Sequence, residues 1–130
     1  MSVAVIDAGV AIGWIQGRHR SLPKLDRLLR AARSGRTEVV ISVVNLAEVL
    51  MHTADLTRAT GVDAVALLTA SRVRVHQPDE AVARRVAKLR TSLTDGFAAA
   101  TALEIGARLH TTDAELVRQL RGSRLAITPY

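Results

Sequence analysis

Four carboxylates sit beside apolar segments, three after expected strands and one at the start of a helix. Asp7 follows the run VAVI, Glu48 lies in ISVVNLAEVL, Asp95 in TSLTDGFAAATALEIGA and Asp113 in RLHTTDAEL. Each has a sufficient local explanation. Asp7 suits the cap of a helix beginning GVAIGWI, and Asp113 the cap of one whose Leu116, Val117 and Leu120 recur at helical spacing. Asn45-x-x-Glu48 has the spacing of a capping box. Asp95 falls at the start of an alanine-rich helix, where the helix dipole favours an acid. Together the four say more. Asp7, Glu48 and Asp113 all follow expected strands, and in a parallel sheet such strand ends converge on one crevice, which Asp95 can face from the side. No Lys or Arg stands within two residues of any of them. Unpaired carboxylates in one crevice repel one another, so a cation is expected between them.

An oxygen-only ligand set without His or Cys favours a hard cation, Mg²⁺ or Mn²⁺ over zinc or copper. The chemistry suited to such a site is phosphodiester hydrolysis, in which the ion acidifies a water and neutralises phosphate charge. A second ion about 3.5–4 Å away would divide those tasks. Ser42, Thr111 and Thr112 flank the acids and are candidates for orienting a carboxylate or a water, with bonding to backbone as the structural alternative. Glu115 is a candidate auxiliary ligand, although its place two residues into the last helix points outward. The four histidines, His19, His52, His76 and His110, have no ligand spacing and receive no chemistry.

The elements that must position these residues follow an α/β pattern, with short apolar runs alternating with segments of helical period. Strands are expected at about residues 3–6, 38–42, 73–76, 108–111 and 125–127, each boundary uncertain by roughly 2–4 residues. Helices are expected over residues 22–32, 45–56, 62–70, 79–90 and 94–105, besides those after Asp7 and Asp113. The first of these puts Leu22, Leu25, Leu28, Leu29 and Ala32 on one face, with Arg27, Arg30 and Arg33 on another. Such an arginine face is ordinary solvated surface or a surface for RNA or an acidic partner.

The 130 residues, 48% of them hydrophobic, suit one compact domain over residues 1–130. With one Trp, one Tyr and one Phe, the core must be aliphatic, and base stacking is a poor binding mode. The 18 Lys and Arg against 12 Asp and Glu give +6, which favours a polyanionic partner. All the cations but Lys24 and Lys88 are Arg, the side chain that pairs bidentately with phosphate. The absence of Cys excludes disulfides, thiolate zinc sites and thiol nucleophiles. The N-terminal MSVAVIDAGVAIGWI lacks a basic n-region and carries Asp7 within its apolar run, so it reads as strand and helix, not as a signal peptide. No run reaches the 18 or so apolar residues of a membrane span; the expectation is a soluble, cytoplasmic protein.

Taken in order, VIDAGV, ISVVNLAEVL and SLTDGFAAATALEIGARLHTTDAEL resemble a PIN-domain ribonuclease, and more narrowly the VapC-type toxins of bacterial type II toxin–antitoxin pairs. The resemblance covers essentially the whole chain, its last motif being the most specific. It implies an α/β fold, a single PIN-like domain with a central parallel sheet of about five strands and helices on both faces. It implies that Asp7, Glu48, Asp95 and Asp113 are the catalytic, metal-binding acids for Mg²⁺ or Mn²⁺, with Ser42, Thr111 and Thr112 matching the family's hydroxyl positions. It further implies a structured RNA substrate of the tRNA or rRNA class, a VapB-type antitoxin whose tail fills the groove, and a homodimer. One position departs from the pattern. The family usually places Ser or Thr just after the first aspartate, and here Ala8 and Gly9 stand there, so a looser Asp7 and weaker metal binding are expected.

Three other readings share some of these features. A PIN-like domain that binds RNA or a protein without cutting would hold RNA in EDTA and be indifferent to Asp95→Asn. A phosphoacceptor receiver domain needs an acidic pair after the first strand and a lysine near the last, and this chain has only Asp7 at the first place. A DNA-directed nuclease would use the same metal chemistry.

Overall fold

The computed structural model describes residues 1–18 and 22–130. His19, given no chemistry above, lies outside the described residues. In chain order the elements are β1 (Ser2–Ile6), α1 (Ala8–Gln16), α2 (Leu22–Arg33), β2 (Thr37–Ser42), α3 (Val43–His52), α4 (Ala54–Thr60), α5 (Ala64–Ala70), β3 (Val73–His76), α6 (Glu80–Leu89), α7 (Leu93–Ile105), β4 (Arg108–Thr111), α8 (Ala114–Gln119) and β5 (Ile127–Pro129).

The five strands form one sheet in the order β3-β2-β1-β4-β5, and every pairing is parallel. Both faces of such a sheet must be covered, which is why its central strands carry the apolar runs VAVI in β1 and VVI in β2. Alternate residues serve opposite faces. Ile6, Val39 and Ile41 pack with α1, α2, α3 and α5 through Val10, Leu25, Leu29, Leu46 and Leu68. Val5, Val40 and Leu109 point the other way, onto Ala98, Ala99 and Ala102 of α7 and Leu116 of α8. Burying each large aliphatic side chain contributes roughly 1.5–3 kcal/mol. The small residues of α7 let that helix lie close to the sheet, and Arg85 on α6 reaches Glu104 on α7 at 2.6 Å.

The order of strands creates the crevice. From β1 the chain moves first to β2 and β3 on one side, then returns to β4 and β5 on the other. Strand order therefore reverses at β1, where the carboxyl ends of a doubly wound sheet leave a gap. Asp7 stands at the end of β1 and Asp113 just past β4. Gly106, at φ 68°, ends α7 in the left-handed conformation that turns the chain into β4.

Three expectations need correction. The helix placed over residues 45–56 is two helices, because the buried Thr53 turns its hydroxyl back onto the Val49 carbonyl and the chain restarts as α4. The capping-box reading of Asn45 and Glu48 fails. The helix begins at Val43, directly after β2, with Ser42 as its cap, and Asn45 lies inside the first turn. The last strand runs over Ile127–Pro129, two residues beyond the expected span, since Leu125 fills the core from a loop. Among the described residues no helix is long and apolar enough to cross a membrane.

Candidate active site

Asp7, Glu48, Asp95 and Asp113 line one pocket of about 160 Å³ at the carboxyl edge of the sheet, together with Ala8, Gly9 and Thr112. The four sequence candidates thus come together, from four elements. Asp7 and Asp113 are held as helix caps, while Asp95 and Glu48 are carried within helices. Asp7 caps α1, its Oδ1 accepting the Val10 amide at 2.8 Å. Asp113 caps α8, its Oδ1 accepting the amides of Glu115 and Leu116 at 2.9 and 3.1 Å. Asp95 occupies the first turn of α7 behind the Ser92 cap, and Glu48 sits midway along α3. Capping and site formation are therefore one arrangement, since a cap at a strand end points its carboxylate at the crevice.

The hydroxyls sort into distinct tasks. The Thr111 hydroxyl is buried, donates to Asp7 Oδ2 and accepts the Asp113 amide at 3.0 Å, so it ties the first acid to the last. Ser42 is fully buried and accepts the Val44 amide at 3.3 Å, starting the helix that carries Glu48. Thr112 lines the pocket itself. Glu115 is exposed and paired with Arg118, outside the pocket.

The electrostatics bear the mark of crowding. Burial pushes the Asp7 carboxyl up to about 6, against the bonds from Thr111 and Val10, with the Asp95 charge adding to the rise. Asp95 is also raised, by burial first and then by the neighbouring Asp113 and Glu48. Among the described residues no cationic side chain lines the pocket to offset this. The donor set fits a hard divalent ion, being all oxygen with four carboxylates. Among the described residues no three of these side chains converge on a single point, so an ion would have to draw the carboxylates inward.

The expected looseness at Ala8 and Gly9 is not observed. Asp7 is only 4% exposed and clamped through both oxygens. The space of the missing side chain is filled: a Cβ on Gly9 would lie 2.1 Å from Thr112 Oγ1. Gly9→Ala is thus expected to push Thr112 away and destabilise the protein by about 1–3 kcal/mol, read as a lower Tm; an unchanged Tm would show that Thr112 moves freely.

Tyr130 is the neighbour that sequence reasoning missed. Its amide donates to the Thr111 carbonyl at 2.9 Å and its hydroxyl pairs with His110 Nδ1 at 2.8 Å. Burial and the Asp7 charge push its hydroxyl up to about 12. Burial, with Arg108 and Lys24 nearby, pushes His110 down to about 4, so its ring is neutral and structural at pH 7. No spacing in the sequence connects residues 110 and 130 beforehand.

A parallel α/β sheet with an acid-lined crevice at its switch point defines the class, and the sequence assigns the family. The model of the PIN domain matches residues 4–120, and the chain belongs to that family. No curated protein matches the sequence. Among solved structures, the chain is similar to VapBC2 of Rickettsia felis bound to a DNA fragment from its promoter, with TM-score 0.74, 17% identity and 98% of both chains covered. It is similar to a toxin–antitoxin complex from Klebsiella pneumoniae, with TM-score 0.70, 20% identity and 98% of both chains. VapC20 of Mycobacterium tuberculosis, a sarcin–ricin loop cleaving toxin, gives TM-score 0.56 at 18% identity over 88% of this chain and 93% of that one. At these identities the likeness establishes the fold.

Proposed function

We propose that this PIN domain is a metal-dependent endoribonuclease of the VapC type, the toxin of a toxin–antitoxin pair. The observation that carries the reading is the pocket lined by Asp7, Glu48, Asp95 and Asp113, with no cation on its wall among the described residues. These four would hold Mg²⁺ or Mn²⁺, which would supply an acidified water and neutralise charge on the scissile phosphate. Thr111 fixes Asp7 and Asp113 relative to one another, Ser42 fixes the start of the Glu48 helix, and Thr112 fills the wall beside Gly9. The +6 chain, with Arg27, Arg30 and Arg33 exposed on α2, holds the polyanion outside the acidic pit.

The substrate is a structured RNA of the tRNA or rRNA class, a choice supported by the likeness to VapC20. The likeness to toxin–antitoxin complexes supports a VapB-type antitoxin as partner, and the proposal includes a homodimer in the cytoplasm. The test is incubation of total bacterial RNA with the purified protein in Mg²⁺, in Mn²⁺ and in EDTA. Discrete fragments that EDTA abolishes are expected. RNA retention in EDTA with no cleavage under either metal would replace this reading with a non-cutting RNA-binding domain.

A further inference from the structure

Asn45 is 1% exposed and lies on α3 one turn before Glu48. Its Nδ2 donates to the Thr94 carbonyl at 2.9 Å, and Thr94 is the residue before Asp95 in the first turn of α7. Its Oδ1 is buried without a partner. A buried amide oxygen left unpaired is costly, and an apolar side chain of similar size would avoid that cost. What only an amide supplies here is the donor that links α3 to α7. Among the described residues, no other side-chain hydrogen bond joins those two helices. The bond thus ties the backbone carrying Glu48 to the backbone carrying Asp95.

We infer that Asn45 is a positioning residue that sets the spacing between the Glu48 and Asp95 carboxylates and so tunes the affinity of the pocket for a divalent ion. The inference rests on the metal-site reading above. Groups that orient ligands from behind typically change metal affinity by about 10–100-fold when removed. The bond acts through the helix backbones and does not itself reach the pocket, whose lining excludes Asn45.

The experiment measures Mn²⁺ binding by the loss of the free-ion electron paramagnetic resonance signal, alongside Tm in EDTA. It uses wild type, Asn45→Leu and Asn45→Ser. Thr53→Val is the control, removing a buried hydroxyl whose bond stays within α3 and its cap. Asn45→Leu is expected to melt close to wild type yet bind Mn²⁺ at least about 10-fold more weakly. Asn45→Ser, too short to reach Thr94, keeps the test alive if the leucine variant does not fold, and should show the same loss. Thr53→Val should lower Tm and leave Mn²⁺ affinity unchanged. Equal Mn²⁺ affinity in wild type and either folded Asn45 variant would overturn the inference while leaving the metal site standing. No Mn²⁺ binding by wild type would overturn the metal-site reading and the inference with it.

Discussion

Asp95→Asn is expected to lower metal-dependent RNA cleavage by at least about 10³-fold while leaving the fold intact. The loss of activity follows from removing one anionic ligand from an ion whose stabilisation of phosphate charge amounts to several kcal/mol, at about 1.4 kcal/mol per factor of ten. The survival of the fold follows from the surroundings of Asp95. It is raised by burial and by Asp113 and Glu48, so in the metal-free protein its charge is unfavourable. Its contribution to starting α7 is secondary to the Ser92 cap, whose hydroxyl oxygen accepts the Asp95 amide at 3.3 Å. Tm in EDTA should therefore equal or exceed that of wild type. A fall of the size that follows loss of a helix cap, about 1 kcal/mol, would identify Asp95 as a structural acid and separate it from the chemistry.

Asp7 makes the second large effect, on pH dependence. Its carboxyl titrates near 3.8 in the unfolded chain and is raised to about 6 in the fold. The folded protein therefore binds its proton more tightly. Stability is complete below about pH 4, falls as pH rises from about 4 to 6, and stays lower above that, by about 3 kcal/mol. Because the group is almost fully buried, solvent screening does little to reduce this figure. Melting in EDTA from pH 4 to 7 should show the decline, and Asp7→Asn should flatten it and melt higher at pH 7. Asn caps a helix about as well as Asp, so the α1 start survives the change. Mn²⁺ should reverse the trend for wild type, raising Tm more at pH 7 than at pH 4. A wild-type Tm that rises with pH in EDTA would contradict the burial argument for Asp7.

Much of this was legible in the chain because its local signals agree with one another. VAVI and the VVI of EVVIS are aliphatic runs suited to a buried parallel sheet, VRVH and RLHT are shorter mixed segments, and β1 to β4 fall within a residue of their expected places. The acids were visible because Asp7, Glu48 and Asp113 follow expected strands and Asp95 opens an alanine-rich helix. What failed were choices between two competent neighbours. Ser42 and Asn45 can both cap a helix, and burial of the strand end decided for Ser42, which the spacing to Glu48 had hidden. Residues 45–56 keep a helical pattern across Thr53, and only its buried position shows why the helix ends there. The looseness of Asp7 expected from Ala8 and Gly9 is not observed, for a similar reason. The sequence shows a missing hydroxyl beside Asp7, whereas the fold brings Thr112 into that space from more than a hundred residues away.

That last distance has a consequence for how the protein is made. Asp7 is locked by Thr111, a partner 104 residues later, and β1 receives its second neighbour only when β4 pairs with it. Contacts of such separation form late, and a growing chain folds from its N-terminus as it emerges. A ribosome-bound chain that has not yet exposed residue 108 carries Asp7, Glu48 and Asp95 without the strand and the threonine that bring Asp7 to Asp113. On the proposed function, nascent and prematurely ended chains are then harmless to the ribosome synthesising them. The cutting site would come into being only after the β4 segment has emerged and paired with β1.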